Sequence, residues 1–99
     1  MRLRFTARSI RHLPSIAEYI SRDDPPAGLK VGHRIRTACG LLTDFPSVGR
    51  PGVRSGTREL SIRALPYVIV HRVTEDEIVI LGVYHVRQLR PGQNRSPGS

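Results

Sequence analysis

Cysteine, tryptophan and lysine are almost absent from this chain of 99 residues. The single cysteine, Cys39, excludes an internal disulfide and a zinc site made of several cysteines. Its place on a predicted helix indicates packing rather than nucleophilic chemistry. With no tryptophan and 5% aromatic residues, the chain is a poor candidate for a protein that stacks single-stranded bases. The longest apolar run, Ile78 to Tyr84, is interrupted by Gly82 and is too short to span a bilayer.

The N-terminus lacks the continuous apolar stretch of a secretion signal, because residues 1–4 include two arginines that alternate with apolar side chains. We therefore expect a cytoplasmic protein without a membrane partner. Hydrophobic residues make up 38% of the chain and charged residues 24%, which is typical of a globular domain. The length predicts one domain, over residues 1–88, followed by a basic, flexible tail over residues 89–99.

Acidic residues are scarce, since 16 basic residues face 8 acidic ones and give a net charge of +8. All the basic residues except Lys30 are arginine, whose guanidinium binds phosphate or carboxylate in a bidentate manner. The excess lies in the segments predicted as strands and in the tail, whereas residues 14–45 are balanced. A cationic sheet beside neutral helices therefore predicts an anionic partner, either nucleic acid or an acidic protein.

The N-terminal half predicts one strand and two helices. Residues 1–6 alternate as a half-buried strand does, and Thr6 can cap a helix over residues 7–21. Pro14 conflicts with that helix, so we expect either a distorted first turn or a regular helix that begins near Leu13. Asp24 and Pro25 form a second helix start, and apolar residues at steps of four and three predict a helix through Asp44. The short connection predicts an antiparallel helical hairpin.

The C-terminal half predicts a loop and a sheet. Residues 46–56 are rich in Gly, Pro, Ser and Arg and show no periodicity. Three runs, 58–64, 67–74 and 77–86, predict a three-stranded antiparallel meander. The fold class is therefore α+β, a two-layer sandwich of an N-terminal strand, an antiparallel two-helix hairpin and the meander. Because so short a chain has little left to cover the second sheet face, we expect a partner-covered sheet face or groove.

Five segments in this order resemble the RelE/ParE toxin superfamily of bacterial type II toxin–antitoxin systems, and the ParE branch more than the RelE branch. They are LRFTARSIRHLPSIAEYISRDDP, RIRTACGLLTDFPSVGRPG, GTREL, PYVIVHRV and IVILGVYHVRQ. The resemblance covers residues 2–88. The chain departs from the family at Pro14, where a polar helix former is more usual, and from Leu89 onward, where the tail is longer.

The resemblance implies one of two activities on a shared fold. Members of the ParE branch poison DNA gyrase, and a cognate antitoxin neutralises them by wrapping its C-terminal segment around the toxin. Members of the RelE branch cleave mRNA in the ribosomal A site. We expect a gyrase inhibitor that is not an enzyme and uses no cofactor. Its expected partners are an acidic antitoxin and gyrase, with operator DNA reached only through the antitoxin.

The nuclease alternative needs a base, an acid and a cation that stabilises the crowded phosphate. His85 is best placed for proton transfer, at the end of the last predicted strand. The other interpretation is a half-buried histidine that donates one hydrogen bond to the backbone. The single lysine argues against the RelE-type site, which commonly uses lysines. As a nuclease, the chain would use these residues: His85, Tyr84, Arg58, Arg72 and Arg87.

A binding toxin needs contacts to DNA phosphates or to acidic protein surface, and solvated charge is the alternative for each candidate. The candidates are Arg50, Arg54, Arg58, Arg87 and Arg90. No metal site is expected, because the histidines lack the spacing of a helical metal pair. A third function, a basic nucleic-acid-binding module, stays open and predicts salt-sensitive DNA affinity without growth arrest.

Overall fold

The structure, a computed structural model, describes residues 1–89, and these form two helices and a five-stranded sheet. Arg90 and the remainder of the predicted tail lie outside the described residues. The elements are β1 (Arg2–Phe5), α1 (Ala7–Ser21), α2 (Pro25–Asp44), β2 (Arg50–Pro51), β3 (Arg58–Ser61), β4 (Tyr67–Val73), β5 (Glu77–His85) and a 3-10 helix (Val86–Leu89). Within residues 1–89, no helix is long and apolar enough to cross a membrane.

The sheet has the strand order β1-β5-β4-β3-β2. The predicted meander is confirmed, because β3, β4 and β5 pair antiparallel. β1 lies at one edge and pairs parallel with β5, with Arg2 opposite Glu77 and Phe5 opposite Ile80. At the other edge, β2 pairs with the start of β3, so the prediction of an irregular loop over residues 46–56 is wrong at Arg50–Pro51. Two residues are too few to show a period of two, which explains why the pattern missed this strand.

Both helices begin at the predicted caps. The Thr6 hydroxyl oxygen accepts from the Ser9 N–H at 3.2 Å, and the Asp24 carboxylate accepts from the Ala27 N–H at 3.2 Å. The expectation of a distorted or delayed α1 is wrong, because the helix runs unbroken through Pro14. Pro14 and Ile10, whose carbonyl lacks its usual donor, are both exposed. Water can therefore solvate that carbonyl, and the cost of the missing bond is reduced.

Replacing Pro14 by alanine should stabilise the domain by about 1–3 kcal/mol, because it restores a helical hydrogen bond and removes the ring clash. Urea denaturation followed by circular dichroism would measure the change. Ser15→Ala, one residue along the same exposed surface, is the matched control and should shift the unfolding midpoint far less. A Pro14→Ala protein no more stable than the native chain would show that the ring is already accommodated without strain.

The two helices lie very close together at Gly28. A Cβ atom built on Gly28 would lie 1.9 Å from the Ser21 hydroxyl oxygen and 2.7 Å from the Ala17 carbonyl oxygen. A Cβ atom built on Gly40, further along α2, would meet no heavy atom of a neighbouring element within 4 Å. The predicted antiparallel hairpin therefore needs glycine at position 28 of α2, where a side chain would clash, but not at position 40.

The sheet has a helix-side face and an outer face. The main core lies on the helix-side face, where Ile35 and Leu42 of α2 join Ile69, Ile78 and Ile80 with no measurable exposure. The outer face has a smaller apolar cluster.

The expectation that a partner must cover the second sheet face is wrong, because the apolar centre of the outer face is buried within the chain itself. Val68, Val70 and Val79 are 1%, 5% and 5% exposed. Leu81 and Tyr84 pack against the cluster formed by Val68 and Val70. The structure does contain grooves, but they lie on the helix side of the sheet, and their covering by a partner stays a prediction.

Candidate interaction surfaces

The five candidate nuclease residues do not converge on one point. His85 lies opposite Tyr67, at the start of β4, and its ring contacts the Tyr67 ring edge-on at a centroid distance of 5.6 Å. Tyr84 precedes it in the strand and lies on the outer face, where its ring lies over Gly82. Arg72 is five residues further along β4 than Tyr67, which places it roughly 16 Å from His85 along the sheet.

His85 is half-buried, but its hydrogen bond runs in the opposite direction from the one expected. The backbone N–H of Arg87 donates to Nδ1 of His85 at 3.2 Å, so the imidazole accepts instead of donating. The Gln88 side-chain oxygen in turn accepts from the His85 backbone N–H at 2.7 Å. These two bonds tie His85 to the 3-10 helix and bring it beside Arg87, the one candidate cation that the structure places near it.

The Arg58 side chain is hydrogen-bonded to the loop that follows α2. Its guanidinium donates to the Ser47 and Gly49 carbonyls at 2.7 and 2.9 Å, on the helix side of the sheet. Arg58 lies opposite His71 in the β3–β4 register. Because Arg58 is only partly exposed and its Nε atom is buried, it is a weaker candidate for target binding than the exposed arginines of the outer face.

His12, the histidine of α1 that contacts the sheet, is positioned as a neutral group. Nδ1 of His12, on α1, accepts from the Val83 N–H at 3.1 Å, beyond the point where β1 ends beside β5. Burial, and then the positive charges of Arg8 and Arg11, lower the pKa of His12. Because an imidazole that accepts at Nδ1 must be unprotonated there, the contact and the lowered pKa agree.

His71 and Cys39 are enclosed on the helix side, where substrate has no access to them. His71 has no measurable exposure, and its Nε2 has no hydrogen-bond partner among residues 1–89. Burial is the largest cause that lowers its pKa; the charge of Arg58 adds to this, and a contact with the Ile69 carbonyl opposes it. Burial raises the pKa of the Cys39 thiol to about 11, so it stays protonated and acts as a packing residue, as the sequence predicted.

The outer face of the sheet carries arginines that the sequence distributed over distant segments. Arg50 of β2 donates to the Glu59 carboxylate at 3.1 and 3.3 Å, and Glu59 itself is 4% exposed. Arg4 of β1 donates to Glu77 at 3.2 Å. Arg72 of β4 is exposed, and it lies opposite Val79, which in turn lies opposite Arg4.

A hydrogen-bonded loop joins β2 to β3 at this end of the sheet. The Gly52 N–H donates to the Thr57 carbonyl at 2.8 Å, and the Arg54 carbonyl accepts from the Thr57 hydroxyl at 2.6 Å. Gly56 has a φ of +80°, and a Cβ there would lie 2.6 Å from the Arg72 guanidinium. The loop therefore carries Arg54 and lies directly against the end of Arg72.

Two apolar grooves flank α2 on the helix side. Groove A, of about 520 Å³, lies between β1 and the helices and is lined by Leu3, Phe5, Ile10, Leu13, Pro14 and Arg36. Groove B, of about 410 Å³, lies between α2 and β3 and is lined by His33, Arg34, Thr37, Ala38, Leu41, Leu60, Ser61, Ile62 and Arg63. Both combine an apolar floor with arginine at the rim, which suits an amphipathic acidic segment.

Groove B has a fixed rim. The Arg34 guanidinium donates to the Arg63 carbonyl, which joins α2 to the turn after β3. Leu41 and, beyond it, Phe45 leave apolar surface exposed at 46% and 58%. Sequence reasoning identified neither groove, because each combines side chains from elements that lie far apart in the chain. Leu41, an apolar residue outside the buried stripe of α2, was a signal that could have indicated groove B.

A family model and two curated proteins match almost the whole described domain. The model described as the ParE toxin of the type II toxin–antitoxin system, parDE, matches residues 3–90. The Sinorhizobium fredii protein named "Putative toxin Y4kP" is 43% identical over 90 residues, which cover 91% of this chain and 93% of the relative. Toxin RelE2 of Caulobacter vibrioides is 31% identical over 85 residues, which cover 86% of this chain and 94% of the relative.

Two solved structures share the fold. A chain of the chromosomal ParDE system from P. aeruginosa superposes with a TM-score of 0.78 at 26% identity, over 86% of this chain and 95% of that one. A chain of the RelBE2 toxin–antitoxin complex from Mycobacterium tuberculosis gives a TM-score of 0.56 at 27% identity, over 85% of this chain and 88% of that one. The same layered arrangement of two helices on a mixed sheet is therefore found in both.

Proposed function

Because this chain belongs to the ParE toxin family of type II toxin–antitoxin systems, we propose that it inhibits DNA gyrase by binding, without catalysing a reaction of its own. A cognate acidic antitoxin neutralises it. To poison gyrase, the toxin must bind the enzyme with cleaved DNA more tightly than the enzyme with resealed DNA.

The observation that carries this proposal is the dispersal of the proton-transfer candidates. His85 and Tyr84 lie on opposite faces of β5, and Arg72 lies roughly 16 Å from His85. His12 accepts from the backbone, and His71 is enclosed. Cleavage of RNA by its own 2′-hydroxyl needs a base, an acid and a cation within hydrogen-bond reach of one phosphate. The described residues support binding better than that chemistry.

Grooves A and B support an antitoxin partner. The apolar floors take one face of an amphipathic segment, and Arg36 and Arg63 at the rims attract its carboxylates. One of the solved relatives is a ParDE toxin–antitoxin system and the other is a RelBE2 complex. The net charge of +8 favours fast association with an acidic chain at low salt.

In a supercoiling and DNA-cleavage assay, the purified toxin should accumulate gyrase-linked breaks. Arg87→Ala should raise the toxin concentration needed for half-maximal breaks about tenfold, because Arg87 is exposed and its guanidinium would contact phosphate or carboxylate on the target. Lys30→Ala, an exposed charge on α2, is the matched control and should retain the native response. Absence of any effect of the native toxin on gyrase would sink the proposal.

The second candidate is a ribosome-dependent mRNA endonuclease, favoured by the contact that places His85 beside Arg87 and by the likeness to toxin RelE2. In a translation extract, this function predicts cleavage of transcripts that His85→Ala abolishes. His33→Ala, on the helix side, would leave such cleavage intact. Transcripts that stay whole in the presence of active toxin would exclude the endonuclease.

A further inference from the structure

Arginines from three strands and one loop lie along one end of the outer face and form what we call the arginine band: Arg4, Arg50, Arg54 and Arg72. The register orders the strand members across the sheet, since Arg4 lies beside Val79 and Val79 beside Arg72. Arg50 lies on β2, at the opposite edge from β1. Five strands separated by about 4.8 Å make the band roughly 19 Å wide.

The side chains of Arg4, Arg50 and Arg72 in the band are held in place. Glu59 accepts two hydrogen bonds from Arg50, and Glu77 accepts one from Arg4. The tip of Arg72 packs against Gly56, in the hydrogen-bonded loop that also carries Arg54. A guanidinium that is already ordered loses less conformational entropy when it binds an anion.

The two carboxylates paired with the band offset part of its charge, but they are less exposed than their arginines, whose side chains are 57% and 61% exposed. Glu59 is 4% exposed and Glu77 has 18% of its side chain exposed, so both lie beneath the arginines that they hold. The remaining acids on this side, Glu75 and Asp76, lie in the turn between β4 and β5, where the Asp76 carbonyl bonds the Arg2 N–H. The face therefore presents more positive than negative charge to solvent.

The shape of the outer face identifies the anion. An acidic peptide would need apolar anchor points, but the valines of this face are buried and the apolar grooves lie on the helix side. Single-stranded nucleic acid would need aromatic side chains for stacking. The aromatic residue that the described part of the chain places on this face, Tyr84, is packed against Gly82 and His12. A broad array of guanidiniums without anchors or stacking platforms suits the phosphates of a duplex.

We propose that the arginine band binds the phosphate backbone of double-stranded DNA without regard to sequence. This goes beyond the proposed function, because it requires neither gyrase nor antitoxin. It also differs from the expectation that the toxin reaches DNA only through its antitoxin. In a complex with gyrase, the arginine band would bind the DNA that the enzyme holds, while another part of the toxin contacts the enzyme itself.

The test is fluorescence anisotropy of a labelled duplex of about 20 base pairs, titrated with the toxin alone from roughly 50 to 200 mM salt. The logarithm of the binding constant should fall with the logarithm of salt concentration with a slope of about −3.6, which is about −0.9 for each of the four arginines. Arg72→Gln and Arg54→Gln should each weaken binding about threefold to tenfold at the lower salt and reduce the slope by about 0.9. Lys30→Gln removes the same charge from the helix side and should leave both quantities nearly unchanged.

Thermal melting of each variant verifies that it is folded before binding is compared. Equal losses for Lys30→Gln and Arg72→Gln would overturn the proposal, because net charge alone would then explain the affinity. Tighter binding of a single strand of the same length would also overturn it. Gyrase is absent from this assay, so failure here is distinguishable from failure of the gyrase proposal, which depends on breaks in the cleavage assay.

Discussion

Replacing Gly28 by alanine should lower the free energy of unfolding by about 2–3 kcal/mol, although alanine is the better helix former. The new methyl group would lie 2.7 Å from the Ala17 carbonyl oxygen, which is backbone and cannot rotate away. The Ser21 hydroxyl, at 1.9 Å, would also have to move. The helices must therefore separate locally, and the core beneath α2 loosens. Chemical denaturation monitored by circular dichroism would measure the loss.

Gly40→Ala is the matched control in the same helix. No heavy atom lies within 4 Å of its added Cβ, so it should stabilise the protein by about 0.5–1 kcal/mol through helix propensity alone. The same chemical change thus has opposite signs at two positions of α2. If both variants were stabilised, the helical hairpin would have room at Gly28, and the close approach described above would not constrain the fold.

Acid should destabilise the protein below about pH 6.5, which is the ordinary pKa of histidine in the unfolded chain. The pKa values of His71 and His12 are both lowered in the folded state, chiefly by burial. Below pH 6.5 the unfolded chain therefore binds more protons than the folded one, so the free energy of unfolding falls as the pH falls. Full stability is expected above about pH 7.5. Urea titrations at several pH values would measure the slope.

His71→Leu tests one of these two contributions. Because Nε2 of His71 is buried without a partner in the described structure, leucine should raise the free energy of unfolding at pH 7 by about 1–2 kcal/mol. It should also flatten the acid limb of the profile, leaving the part due to His12. His33→Leu, at an exposed position on α2, is the control for loss of any histidine. An acid limb unchanged by His71→Leu would refute the assignment.

The local elements were largely predictable from the sequence, because caps and periodicity act over short distances. Thr6 and Asp24 begin the helices as expected, and the three meander strands end within a few residues of the predicted bounds. Pro14 misled the prediction, since its cost depends on whether the Ile10 carbonyl is solvated. Only the packed structure decides that exposure.

The candidate site was less predictable, because it depends on which strands become neighbours. Sequence distance places Tyr84 and His85 together, yet the pleat of β5 separates them onto opposite faces. Arg4 and Arg72 lie far apart in the chain, and the sheet brings them to either side of Val79. Grooves A and B arise in the same manner, from pairs of distant elements.

The parallel pairing of β1 with β5 has a consequence for biosynthesis. Arg2 pairs with Glu77, 75 positions later, so the first strand has no place in the sheet until the last has been synthesised. The helical hairpin can form early on the ribosome, since its contacts are local. Because β1 can pair only after β5 has been translated, prematurely terminated chains lack an intact sheet. Only chains that include β5 would then fold into active toxin.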